Sequence, residues 1–135
     1  MSALFDPWND ASLLASRLTK QTTLLMVLVG AEQWCAKCRD FRLDFESQAG
    51  QSGNDEVWLW LDLEDHAEFI GDYLPEDLPM LIAYRGDHLL TCEVAGIEGR
   101  SFEQTIAHLR YQHDYHAPGQ DPGIRERLLM QDWAS

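Results

Sequence analysis

Basic residues are scarce in this chain: ten Lys and Arg stand against 23 Asp and Glu, a formal net charge of -13 at pH 7. Such a surface repels phosphate backbones and anionic lipid, so neither nucleic acid nor a membrane surface is an expected partner. Long apolar runs are missing too. The longest falls far short of the roughly 20 residues that span a bilayer, and Asp6 and Asp10 stand where a secretion signal carries basic residues. The chain reads as cytoplasmic. Cysteine is limited to three residues, too few for the stapled framework of a small secreted domain. Repeats and low-complexity segments are absent from the 135 residues, which amount to about one domain.

What the chain does have is a core's worth of apolar side chains, 45% of the total with five tryptophans, and one cysteine pair in a telling position. Trp34-Cys35-Ala36-Lys37-Cys38 follows the apolar run Leu24 to Val29 and precedes a helix-like stretch, Arg39 to Ala49. A strand that delivers two cysteines into the first turn of a helix has the layout that dithiol–disulfide chemistry needs. Residues three apart on a helix share a face, with Cα atoms roughly 5 Å apart, which a disulfide accepts. The unpaired N–H groups and dipole of a helix start favour thiolate over thiol, so Cys35 is expected to be the more reactive sulfur.

Around the motif the pattern alternates helix and strand. Leu13, Leu14 and Leu18 fall at helical spacing after Asp10 and predict a helix over about 9–19. Residues 23–29 predict a strand covered on both faces, and Val57 to Leu61, ending at Asp62, predict a second. Phe41, Phe45 and Ala49 give the post-motif helix one apolar face, with Gly50 and Gly53 ending it. A short helix is expected over 66–73, then the proline-marked loop Leu74 to Pro79. Met80 to Tyr84 and His88 to Val94 read as a hairpin around Gly86. Beyond Gly96 and Gly99, Ser101 caps a helix carrying Phe102, Ile106 and Leu109. In the tail, Asp121-Pro122-Gly123 starts a short helix with Ile124, Leu128 and Trp133 on one stripe. The boundaries are a domain over 1–113 and an extension over 114–135. The stripe is expected to pack on the domain itself, with a dimer or partner contact as the alternative.

This chain resembles thioredoxin over about 9–111. The resemblance is carried by Trp34-Cys35-Ala36-Lys37-Cys38 at the strand-to-helix junction, by Leu78-Pro79-Met80-Leu81 and by Gly96 beyond the hairpin. It implies an α/β fold of three layers, a central mixed β-sheet flanked by helices. It further implies that the Leu78–Pro79 bond is cis and that Pro79 lies beside the cysteines, the backbone of Leu78 gripping an extended substrate segment. A cis bond before proline costs only about 0.5–1 kcal/mol. The implied chemistry is attack of Cys35 on a substrate disulfide, a mixed disulfide, and release when Cys38 attacks Cys35. Partners would be protein disulfides and an electron donor, with no cofactor.

The chain departs from that family in its proton-handling groups. The family's buried aspartate before the motif is absent from the wholly apolar strand ending at Val29, and its lysine on the next strand gives way to Val57 to Leu61. Glu32 is the nearest upstream acid, read either as a proton acceptor or as a solvated loop carboxylate. Lys37 can stabilise a thiolate or remain in water. Trp34 is a substrate platform or a cover for the disulfide, while Trp58, Trp60 and Cys92 are assigned to the core. A zinc site would need Cys92 and His113-x-x-His116, whose spacing is shorter than zinc ligands prefer, so redox chemistry is the first reading and no metal is assigned. A thioredoxin-fold adaptor, chaperone or redox sensor with an acidic docking surface is the alternative function.

Overall fold

The computed structural model describes residues 10–19, 22–50, 55–66, 78–86, 88–94, 102–111 and 123–130. The described residues form four strands and four helices: α1 (Ala11–Leu18), β1 (Leu24–Gly30), α2 (Ala36–Ala49), β2 (Glu56–Asp62), β3 (Met80–Arg85), β4 (His88–Val94), α3 (Phe102–Tyr111) and α4 (Ile124–Met130). They build one mixed sheet in the order β2-β1-β3-β4. β1 runs parallel to β2 and antiparallel to β3, and β3 and β4 form the hairpin, with Gly86 at φ 58° in its turn. Only glycine adopts that backbone without a steric penalty. Every residue of β1 is buried, which its unbroken apolar sequence requires of a central strand.

Each sheet face carries a helical layer, as a three-layer α/β fold demands. Leu25, Val27, Val29, Leu59 and Leu61 meet Leu14 and Leu18 of α1 and Ile124 and Leu128 of α4. On the opposite face Met26, Leu28, Trp58 and Trp60 meet Cys38, Phe45 and Ala49 of α2 and Ile106 and Leu109 of α3. The period-2 alternation of strand side chains sorts neighbouring residues between the two layers. Arg125 Nη2 donates to the Leu18 carbonyl at 2.8 Å, and so ties α4 to the end of α1. The first part of the tail stripe, Ile124 and Leu128, is therefore buried on the domain itself. No helix among the described residues is long and apolar enough to cross a membrane.

Two expectations change. The post-motif helix begins at Ala36 rather than Arg39, because Cys35 serves as its N-cap. Cys92 is half-buried at the edge strand rather than enclosed in the core. Beyond His66 the helix expected over 66–73 lies outside the described residues, as do Gly53, Gly96, Gly99, Ser101, His113, His116 and Trp133.

Candidate active site

β1 ends at Gly30, and five residues later Cys35 opens α2. The connection is held at several of its polar atoms. Cys35 N donates to the Ala31 carbonyl at 3.1 Å, and Glu32 N donates to Asp62 Oδ2 at 2.9 Å. Arg39 Nη1 donates to the Glu32 carbonyl at 2.8 Å, and Arg42 Nη1 pairs with Glu32 Oε2 at 3.1 Å. Glu32 is thus clamped through its N–H, its carbonyl and its side chain, by one strand and one helix. Its carboxylate remains a largely solvated loop group, 44% exposed and, among the described residues, paired only with Arg42.

Cys35 and Cys38 are joined as a disulfide, with Cα atoms 5.2 Å apart. Their environments differ sharply. Cys35 is half-buried, and its Sγ accepts the Cys38 N–H at 3.1 Å, a helix-start donor aimed at sulfur. Cys38 is fully buried. A Cβ on Gly30 would stand 2.6 Å from Trp60 Cη2 and 3.1 Å from Cys38 Sγ. The absence of a side chain at position 30 is what lets the tryptophan ring and the sulfur close together. Trp60 is covered in turn by the Arg42 guanidinium, 4.8 Å from its ring centroid, and Arg42 also pairs with Glu46 at 3.1 Å.

Asp62 is a buried carboxylate at the end of β2, in register with Gly30. Its oxygens accept from the N–H groups of Glu32, Glu64 and Asp65, while its own N–H donates to His66 Nδ1 at 2.8 Å. Buried His66 therefore presents a lone pair at Nδ1 and pins the turn after β2. Sequence reasoning gave His66 no role and passed over Gly30 and Arg42. A buried acid capping its own turn carries only a weak local signal, an aspartate ending an apolar run.

The Leu78–Pro79 bond is cis. Met80 pairs with Val29, which brings Pro79 to the level of Gly30, and Leu78 packs in the same cluster as Cys38 with Cys35 at its margin. Trp34 is 62% exposed. Lys37 is exposed on the first turn of α2. Cys92 packs against the opposite face of the sheet from Cys38 and cannot share a metal with it. Among the described residues no three His, Cys, Asp or Glu side chains gather as a metal site. No protein-family model matches the chain, and no curated protein matches it.

Proposed function

We propose that the protein is a thioredoxin-like thiol–disulfide oxidoreductase that acts on protein disulfides through the Cys35–Cys38 couple. The observation that carries this reading is the pair itself: two cysteines at disulfide distance on a helix start, with the outer sulfur receiving an N–H and the inner one buried. In the reduced protein the Cys35 thiolate attacks one sulfur of a client disulfide, whose other sulfur leaves as a thiolate. Cys38 then gives up its proton and attacks Cys35. The client's remaining sulfur leaves and is protonated, so the client gains two electrons and the pair returns to the disulfide. Exposed Trp34, with Leu78 and Pro79 across the site, would line the client's approach, and Lys37 would favour the thiolate form of Cys35.

Equilibration of the purified protein against dithiol and glutathione buffers, followed by thiol alkylation, tests the reading. A reversible two-electron couple supports it, near about -270 mV for a cytosolic reductase or about -120 to -180 mV for an oxidant or isomerase. If no reversible intramolecular disulfide forms, the reading fails. The Cys35→Ser variant is expected to lose disulfide reduction outright, and Cys38→Ser to stop at the mixed disulfide.

A further inference from the structure

The two halves of the exchange cycle meet unequal conditions in this site. Cys35 is accessible and has a donor on its sulfur; Cys38 is fully buried, and its Sγ takes part in no hydrogen bond to any described side chain. Beside it lie Gly30, which has no side chain, and the ring of Trp60, which is 5% exposed. Among the described residues, the charged groups on the connection and over Trp60 are already engaged. Asp62 accepts three backbone N–H groups, Glu32 pairs with Arg42, Arg39 donates to the Glu32 carbonyl, and Arg42 spans Trp60 between Glu32 and Glu46. A thiol attacks only as thiolate, and burial slows the loss of its proton to water.

We propose, resting on the oxidoreductase reading, that the second step is slow enough for the protein to retain its client as a covalent mixed disulfide. The strap Glu32–Arg42–Trp60 sets the lifetime of that complex by keeping water from Cys38. Arg42 and Trp60 are positioning residues here, since neither exchanges electrons or protons with the sulfur. The protein then acts as a disulfide-linked holder of its client, released when the strap opens or when an external thiol attacks the Cys35–client bond.

The test mixes reduced protein, on a Cys92→Ala background, with excess nitrobenzoate disulfide. The released thiolate absorbs visible light, and acid quench with intact mass measurement counts adducts. The expected result is one equivalent released quickly, a single-adduct species that accumulates, and a second equivalent about tenfold slower or more. Arg42→Ala should speed the second phase about threefold or more and leave the first unchanged; Trp60→Phe should do the same. Release of both equivalents in one phase, or a second phase indifferent to both substitutions, overturns the proposal while leaving the oxidoreductase reading intact. A first phase no faster than that of an ordinary cysteine overturns both.

Discussion

Two tryptophans stand two residues apart on the same face of β2, and each lies beneath an arginine, yet the two arrangements differ in kind. Over Trp58 sits Arg110 of α3, 5.6 Å from the ring centroid, and it grips Glu56 through two contacts of 3.0 and 3.2 Å. Trp58 Nε1 donates to the same carboxylate at 3.0 Å, and Phe45 packs against the ring with centroids 4.9 Å apart. The Glu56 side chain is only 12% exposed. Over Trp60, Arg42 divides its guanidinium between two carboxylates, with the Glu32 side chain 44% exposed. A bidentate, mostly buried pair fixes one geometry, whereas a divided, half-exposed one exchanges readily with water. One device braces the sheet away from the cysteines; the other lies over Trp60, the ring beside Gly30 and Cys38, and is the proposed cover.

The largest break in that comparison is Trp58→Ala, which removes a fully buried ring and its Phe45 contact. It is expected to cost about 3–5 kcal/mol in denaturant unfolding, enough to unfold a marginal domain. Arg110→Ala should cost about 2 kcal/mol, because it leaves the Glu56 carboxylate with one fewer charged partner in a mostly buried position. Neither Arg110 nor Trp58 touches the cysteines, so after correction for the folded fraction the first phase of thiol release should match the parent protein. A changed first phase in Arg110→Ala would mean that the far unit is wired to the site after all.

Gly30→Ala tests the near unit from the strand side. The added methyl meets Trp60 at 2.6 Å and the Cys38 Cβ at 3.0 Å, so either the ring or the helix start must shift. Overpacking of this kind costs about 1–3 kcal/mol. Since the displaced groups are the sulfur and its cover, it should also make the Cys35–Cys38 disulfide easier to reduce, which equilibration against dithiol buffers reads directly. Asp62→Ala strips the acceptor from three backbone N–H groups and should cost about 1–2 kcal/mol while slowing the first exchange phase. An unchanged first phase would show that the hydrogen bond from Glu32 N to Asp62 does not orient Cys35.

How far these units were legible in the sequence depends on whether periodicity or partnership creates them. The unbroken apolar runs Leu24 to Val29 and Val57 to Leu61 declared two covered strands, and both formed within a residue or so of the predicted ends. Glycine-marked turns declared the hairpin. Trp34-Cys35-Ala36-Lys37-Cys38 declared the cysteine pair, since spacing alone brings the sulfurs together. Period-2 alternation also placed Trp58 and Trp60 on one face, but nothing local says which arginine will lie over which ring. Arg42 is one of several charged residues on α2, and its partners lie ten residues back and eighteen ahead along the chain. Gly30 drew no reading because its role depends on Trp60, thirty positions away. Cys92 seemed a core residue because single cysteines are among the most buried side chains, whereas the edge position of β4 leaves it half-covered.

The smallest stability effect belongs to Arg42→Ala, and it is the sharpest instrument. A half-exposed ion pair and one cation–π contact are together worth about 1 kcal/mol or less, so urea unfolding should barely move. Arg42→Lys keeps the charge but not the flat guanidinium that lies over the ring, and should fall between parent and alanine in the rate of the second thiol release. That ordering separates cover from charge. If lysine behaves like arginine, the positive charge governs Cys38 through its field; if lysine behaves like alanine, the planar stacking on Trp60 does, and the site is gated by how the ring is covered.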